Sequence, residues 1–276
     1  MFRRSLLSVA IIAAIAHTPV YAEETPTPSA EDTSRLGTVL VTGTRAKNRT
    51  VLDSPVPVDV LTAEDIKATG ALNGELGQAL ATLLPSFNFP RQSNSGGSDH
   101  VRAAQLRGMS PDQVLVLVNG KRRHTSALVN DSTKIGRGTA PVDFNSIPIS
   151  AIKRIEVLRD GAGAQYGSDA IAGVINIILD DAPEGGELST TYGAYHTHQD
   201  AINDTTTDGQ NSFTTAKIGT RLGEEGGFVR GGAEYKDRNP TNRAGYDSNG
   251  DTPKERNYVM GDGNLQDINT WFNSEL

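Results

Sequence analysis

Residues 152–158 read IKRIEVL and residues 174–179 read VINIIL, and these two stretches decide the fold of the chain. Both are rich in isoleucine and valine, which favour the pleated surface of a sheet. Each stretch therefore predicts a strand. Residues 114–118, VLVLV, predict another buried strand, and Asn119-Gly120 directly after it predicts a tight turn.

Two short helices are predicted before these strands. Thr62 and Asp65 have the spacing of a capping box, so a helix should begin after Thr62 and end at Gly70. Asn73 is placed to cap a second helix, which Pro85 ends. The leucines of that helix share one face; they are Leu76, Leu80, Leu83 and Leu84. Residues 51–181 therefore predict a compact domain of mixed helices and strands.

The chain after Gly185 has a different pattern. Residues 213–222 and 228–237 alternate apolar and polar side chains, and segments of about ten residues with this period are typical of outer-membrane barrel strands. Residues 223–227 predict a short turn between them. Long polar loops are predicted on the opposite side, at residues 199–211 and 239–267, with part of a fourth strand at 268–276.

Residues 185–276 provide three to four such strands, whereas the smallest closed barrels have about eight. An open sheet edge cannot face lipid, because its unpaired backbone groups would find no hydrogen-bond partner there. We therefore expect this sequence to be a fragment or a truncated reading frame. A soluble β-sandwich would also explain the alternation of the strands.

Composition narrows the class of protein and the compartment. The formal net charge is −7, which argues against a nucleic-acid partner, and the absence of cysteine excludes disulfides and thiolate metal sites. Residues 1–22 combine Arg3-Arg4, a short apolar run and a small-residue site at Ala22, so they predict a signal peptide. The polar residues that follow, within 23–50, predict a flexible leader.

No catalytic or cofactor motif is recognised. Residues 161–167 lack the third glycine of a dinucleotide-binding loop, and residues 247–258 lack the glycine and glutamate of a calcium loop. His196 and His198 share one face of a predicted strand, where they either bind a metal or have no ligand. We expect neither a cofactor nor a metal, and we expect that the protein is not an enzyme.

Several motifs in one order resemble the N-terminal part of a TonB-dependent outer-membrane receptor. Leu106-Arg107-Gly108, residues 152–159 and residues 166–177 resemble the inner motifs of that family's plug domain. Residues 38–42 resemble the TonB box; they are Thr38, Val39, Leu40, Val41 and Thr42. Asp160-Gly161 departs from the Gly-Pro that many members have after the arginine. The resemblance implies an α+β plug domain followed by the first antiparallel strands of a transmembrane β-barrel, which is incomplete in this chain.

The family also implies partners and a location. The protein would lie in the outer membrane of a Gram-negative bacterium, in contact with its lipid. TonB, with the inner-membrane ExbB-ExbD motor, would bind the box from the periplasm and drive import of a small ligand. A ferric siderophore is the commonest cargo of the family, and cobalamin, nickel chelates and glycans are others.

The resemblance assigns residues to two further roles. Arg107 and Arg159 would pair with barrel glutamates and lock the plug in place. Candidate ligand contacts lie on the polar loops of the plug; they are Arg91, Gln92, Asn94, His100, His124, Asn130 and Arg137. Two other classes of protein stay open, namely an exported soluble binding domain without a barrel and an exported enzyme with an unrecognised site.

Overall fold

The structure of the chain is a computed structural model. It describes residues 57–70, 74–91, 100–131, 135–159, 163–223, 226–247, 256 and 258–276. The predicted signal peptide at 1–22, the leader at 23–50 and its segment 38–42 lie outside the described residues. Asn73, Gln92 and Asn94 also lie outside them.

The part of the chain up to Asp181 contains a five-stranded sheet and is called the mixed domain below. Its strands are β1 (Val58–Thr62), β4 (Val114–Val118), β5 (Lys121–Arg122), β6 (Ile152–Leu158) and β7 (Gly173–Leu179), while β2 (Phe87–Asn88) and β3 (Gln105–Leu106) form a separate pair. The order in the sheet is β1-β6-β7-β4-β5. β4 runs parallel to β7, and the other neighbours are antiparallel. The three strands predicted from their apolar runs are confirmed.

Among the described residues three α-helices accompany this sheet: α1 (Ala63–Ala68), α2 (Leu76–Leu83) and α3 (Gly163–Tyr166). The capping box is confirmed, since the Asp65 amide donates to Thr62 Oγ1 at 3.1 Å and the Thr62 amide donates to Asp65 Oδ2 at 2.8 Å. Hydrogen bonds from the Thr62 side chain and backbone hold the pKa of Asp65 below its usual range. In the part of the chain that the structure describes, no helix combines the length and the apolar character needed to cross a membrane.

The core of the mixed domain lies between α2 and one face of the sheet. Leu76 and Leu80 of α2 are fully buried, and they belong to one cluster with Ile155 of β6 and Ile177 of β7. Three phenylalanines close this core, with the rings of Phe87, Phe89 and Phe144 within contact of one another. The leucine face predicted for α2 therefore packs as expected, although the helix begins after Glu75.

Four antiparallel strands follow and form the sheet called the wall below. They are β8 (Gly185–Gln199), β9 (Asp204–Leu222), β10 (Gly227–Arg238) and β11 (Leu265–Glu275), in the order β11-β10-β9-β8. Among the described residues β8 and β11 are the outer strands, so the wall is open at both edges. A short connection joins β9 to β10, and a long one joins β10 to β11, as predicted.

The long loop predicted at residues 199–211 is wrong. β8 continues to Gln199 and β9 begins at Asp204, so only residues 200–203 connect them. The sequence there is rich in threonine and aspartate, which favours a loop, but its side chains pair across the strands. His196 Nδ1 lies 2.8 Å from Thr207 Oγ1, and His198 Nδ1 lies 3.2 Å from Thr205 Oγ1. The fourth strand also begins earlier than predicted, at Leu265.

On the wall, charged side chains are buried on one face and large apolar side chains are exposed on the other, which is the reverse of the distribution in a water-soluble protein. Charged side chains of β10 are buried on the face toward the mixed domain, among them Glu234, which is only 1% exposed. Large apolar side chains project from the opposite face, where Ile218 is 72% exposed and Phe272 is 65% exposed. A soluble sandwich would bury the apolar face, whereas a barrel strand turns it toward lipid and its polar face toward the lumen. The wall consists of the first strands of such a barrel.

Candidate functional site

The contact between the mixed domain and the wall is centred on one buried carboxylate. Glu75, in the N-cap position of α2, makes no capping hydrogen bond with its side chain. It instead accepts from three guanidinium groups: Arg91 Nη2 at 3.1 Å, Arg102 Nη1 at 3.0 Å and Arg238 Nη1 at 2.6 Å. Because Arg238 belongs to β10, this carboxylate joins the two parts of the chain.

A second carboxylate reaches the same arginines from the long connection between β10 and β11. Asp262 accepts from Arg102 Nη2 at 2.8 Å and also from Arg91 Nη1. Arg91 and Arg102 therefore each bridge Glu75 and Asp262. Burial alone would lower the pKa of Arg91, but the two carboxylates outweigh it and raise the pKa, so the guanidinium stays charged.

Further contacts around Ser150 and Asp180 hold the mixed domain against the wall. The backbone amide of Ser150 donates to Glu234 Oε1 at 2.6 Å, and Trp271 Nε1 donates to Ser150 Oγ at 3.1 Å. After β7, Asp180 Oδ2 accepts from Lys217 Nζ at 2.9 Å and lies 2.8 Å from Arg230 Nε. Burial alone would raise the pKa of Asp180, but its hydrogen bonds and these two cations lower it overall.

Among the residues that the structure describes, three cavities border this contact. The largest, of about 620 Å³, is called the outer cavity below. Its lining residues are Gln78, Arg91, Tyr195, Thr197, Thr241, Arg243, Met260, Gly261 and Asp262. A cavity of about 360 Å³ separates α1 from the inward side chains of β8 and β9. A third, of about 230 Å³, lies between residues 143–146 and the strands β10 and β11.

The ligand contacts predicted from the sequence do not converge on one place. Arg91 lines the outer cavity and His100 lines the third cavity, while His124 and Arg137 are exposed. Asn130 is buried within its own loop, where its backbone N–H donates to the Thr139 carbonyl oxygen at 2.9 Å. Of the predicted set, Arg91 both lines a cavity and forms an ion pair with the connection between β10 and β11.

The predicted lock residues lie together in the mixed domain. Arg159 Nη2 donates to Asp59 Oδ1 at 2.5 Å, and Arg107 Nη1 donates to the Arg159 carbonyl oxygen at 2.8 Å. Their pairing with barrel glutamates stays a prediction. His196 and His198 contact threonines, and the described residues contain no group of three or more acidic, histidine or cysteine side chains that could hold a metal ion.

Sequence reasoning missed most of the charged contact. Glu75, Arg102 and Asp262 are far apart in the chain, and no motif marks them. Arg238 could have been found, since it continues the row of inward charged positions on β10 at intervals of two residues.

The comparisons with known proteins identify the mixed domain. The profile of the TonB-dependent Receptor Plug Domain family matches residues 50–174. The ferric enterobactin receptor PirA of Pseudomonas aeruginosa is 37% identical over 149 residues, covering 54% of this chain and 19% of that protein. The vitamin B12 transporter BtuB of Vibrio vulnificus is 29% identical over 249 residues, covering 89% of this chain and 36% of that protein.

A solved structure shows the same similarity. A mutant of the ferric enterobactin receptor PfeA from Pseudomonas aeruginosa matches with a TM-score of 0.51 and 28% identity, covering 70% of this chain and 26% of that one. The chain thus spans between about a fifth and about a third of the lengths of these relatives.

Proposed function

Since residues 50–174 are a TonB-dependent receptor plug domain, we propose that the protein is an outer-membrane receptor that binds a scarce ligand and imports it with energy delivered through TonB. The observation that carries this proposal is the contact between the mixed domain and the wall. A plug domain lies against the polar face of barrel strands whose other face is apolar. The relatives are receptors and transporters rather than enzymes, which supports a transport function over an enzymatic one.

The proposed organisation follows from the same reasoning. Residues 1–22 would direct export, and residues 23–50 would form a leader that carries the TonB box at 38–42. Residues 51–181 would be the plug, and residues 185–276 the first strands of the barrel. The end of β7 at Leu179 and the start of β8 at Gly185 support the last boundary.

The location and partners are proposed from the wall and the relatives. The exposed apolar side chains of the wall would contact outer-membrane lipid in a Gram-negative bacterium. TonB, driven by ExbB-ExbD, would bind the box from the periplasm. The ligand would be a ferric siderophore, supported by the two relatives named for ferric enterobactin, and vitamin B12 is the second candidate because another relative is named for it. An exported soluble binding domain is disfavoured by the apolar outer face.

The proposed test uses the TonB box. Binding by strand addition relies on backbone hydrogen bonds, so proline should disrupt it, whereas trimming a side chain should matter little. We expect Leu40→Pro or Val41→Pro in the complete gene product to abolish energy-dependent uptake. Leu40→Ala and Val41→Ala are the matched controls and should keep most of it.

The measurement is paired, on whole cells. Equilibrium binding of iron-labelled ferric enterobactin and of labelled vitamin B12 should be unchanged in all four variants, while accumulation with the proton gradient intact should be lost in the proline variants. Normal accumulation in both proline variants would show that residues 38–42 do not couple to TonB. If the proline variants also lose equilibrium ligand binding, residues 38–42 have a structural role instead.

A further inference from the structure

The segment that joins the plug to the wall is held on β10 by a buried arginine, Arg230. Residues 180–184 connect β7 to β8 and are called the linker below. Arg230 Nη1 donates to three backbone carbonyl oxygens at 3.2 to 3.3 Å; they belong to Ala182, Glu184 and Gly185. Arg230 Nε lies 2.8 Å from Asp180 Oδ2 at the start of the linker. One guanidinium therefore contacts the linker along its whole length.

The neighbouring strand leaves space for this arginine. Gly219 of β9 lies opposite Arg230 in the ladder, and a Cβ added to it would lie 2.6 Å from Arg230 Nη1. The same Cβ would lie 3.0 Å from the Ala182 carbonyl oxygen. The Arg230 side chain is only 6% exposed, so its charge is stabilised by its protein partners rather than by water. The arginine and the space beside Gly219 together form a site that the linker fills.

Asp180 has further partners on the wall. Its Oδ2 accepts from Lys217 Nζ of β9 at 2.9 Å, and its carbonyl oxygen accepts from Asn273 Nδ2 of β11 at 3.0 Å. Together with β10, three neighbouring strands therefore hold the start of the linker. The other end of the linker adds an ion pair between Glu184 and Arg221, but both side chains are exposed. An exposed pair of this kind contributes little to stability, so the buried contacts dominate.

The opposite side of the plug is held differently. There α1 meets β8 through an ion pair of Lys67 and Glu187 at 2.6 Å, in which both side chains are exposed. The cavity of about 360 Å³ separates α1 from the inward side chains of β8 and β9. β1, which precedes α1, lies at one edge of the sheet among the described strands and pairs with β6. In the part of the chain that the structure describes, an exposed ion pair thus binds α1 to the wall, whereas buried contacts bind the linker.

We infer that the linker is the fixed anchor of the plug, and that Arg230 holds it on the wall while the first elements of the plug are displaced. This inference rests on the proposed receptor function, because it assumes that TonB pulls on the leader. Such a pull reaches β1 and α1 before it reaches β7, since it is transmitted along the chain. Displacing α1 breaks an exposed ion pair, whereas displacing the linker leaves a buried guanidinium without partners. The displacement should therefore stop before the linker, and the anchored end should guide the plug back to the same place.

The test measures which parts of the plug become accessible during transport. The 276 residues contain no cysteine, so a single cysteine introduced into the complete gene product reports on its own position, and the parent protein gives the background. Ala63→Cys lies in α1 beside the cavity of about 360 Å³, and Ala182→Cys lies in the linker. Whole cells supplied with ferric enterobactin and vitamin B12 are labelled with a hydrophilic maleimide, with and without the proton gradient. We expect the gradient to accelerate labelling of Ala63→Cys at least about tenfold and to leave labelling of Ala182→Cys unchanged.

Variants of the anchor then test the role of Arg230. In an Arg230→Gln background, the gradient should accelerate labelling of Ala182→Cys about tenfold as well. Gly219→Ala leaves the arginine in place but fills the space that it needs, so it should have the same effect. Arg221→Gln is the matched control, because Arg221 is also bound to the linker but in an exposed pair, and it should leave Ala182→Cys protected. A loosely folded variant would be labelled equally with and without the gradient, and fluorescence of Trp271 verifies that the plug lies against the wall at rest.

Three results would contradict the anchor. If the gradient accelerates labelling of Ala182→Cys in the otherwise unchanged protein, the linker moves with the plug. If the gradient does not accelerate labelling of Ala63→Cys, the first elements of the plug are not displaced against a fixed end. Unchanged protection of Ala182→Cys in both Arg230→Gln and Gly219→Ala would remove the role of Arg230. In all three cases, energy-dependent accumulation of either compound in the same cells would leave the receptor function standing, whereas its absence would overturn the proposed function itself.

Discussion

Replacing Glu75 by glutamine should weaken the contact between the plug and the wall. The effect should be larger than that of a conservative substitution on the exposed surface of the plug. The amide keeps the size of the side chain but removes the charge that three guanidinium groups share. Asp262 would then be the carboxylate left to Arg91 and Arg102, and Arg238 would lose its ion pair. Removing one partner of a buried ion pair costs about 3–5 kcal/mol. We expect Glu75→Gln to lower the free energy of unfolding of the plug by this amount.

Trp271 provides the assay. It is the one tryptophan of the 276-residue sequence, and its indole donates a hydrogen bond from β11 to Ser150 of the plug. Its fluorescence should therefore change when urea unfolds the plug or displaces it from the wall. Glu64→Gln is the matched control, since Glu64 is exposed in the first turn of α1. That control should cost less than about 1 kcal/mol, from the helix dipole alone.

A double-mutant cycle with Arg238→Met measures the contact across the interface. If Glu75 and Arg238 stabilise each other, the double variant should lose less than the sum of the two single losses. An unfolding free energy for Glu75→Gln within about 1 kcal/mol of the wild type would refute the reasoning, because a buried charge cannot be removed from three cations at so small a cost. Hydrogen bonds elsewhere, such as that of Ser150 to Glu234, would then hold the plug.

Two further changes test the same interface. Gly74 has φ +61°, and a Cβ added there would lie 2.7 Å from the Phe213 ring of the wall. Gly70 has nearly the same φ, +62°, but an added Cβ would meet open space. Gly74→Ala should therefore destabilise the plug by about 1–3 kcal/mol more than Gly70→Ala in the same urea assay. Burial raises the pKa of Asp143 with help from Asp267. The folded state therefore holds the carboxyl proton of Asp143 more tightly than the unfolded state does. The stability that this proton provides is lost as pH rises through the raised pKa. Asp143→Asn, which keeps an acceptor for the Asn145 amide, should stabilise the protein more at neutral than at acidic pH, and equal effects at both would contradict this.

The strands of the plug could be predicted because their signal is local. Val114–Val118 and Ile152–Leu158 are apolar runs of strand length, and the capping box of Thr62 and Asp65 fixes the start of α1 within three residues. The barrel strands were found by their alternation alone. Residues 199–211 were misread because threonine and aspartate there pair across the β8–β9 ladder, and that pairing depends on the register rather than on composition.

The candidate site was only partly predictable, for a different reason. Arg91 was selected because it borders a polar loop, but its two carboxylate partners lie 16 residues before it and 171 residues after it. Nothing in the local sequence distinguishes Glu75 from a solvated glutamate at a helix start. Its role depends on which wall strand packs against α2, and that is a property of the folded chain.

The chemistry of the interface explains how a plug can be held firmly and still be displaced. On β10 three of the inward charges have partners from the plug: Arg230 meets Asp180, Glu234 meets the Ser150 amide and Arg238 meets Glu75. An apolar interface of the same extent would lose about 25 cal/mol for every Å² exposed to water on opening. When a polar interface opens, each group replaces its protein partner by water, at a net cost of roughly 0.5–3 kcal/mol per hydrogen bond. In the proposed receptor, a plug that TonB displaces would need barrel strands with apolar side chains toward lipid and charged side chains toward the plug, and the wall has this distribution.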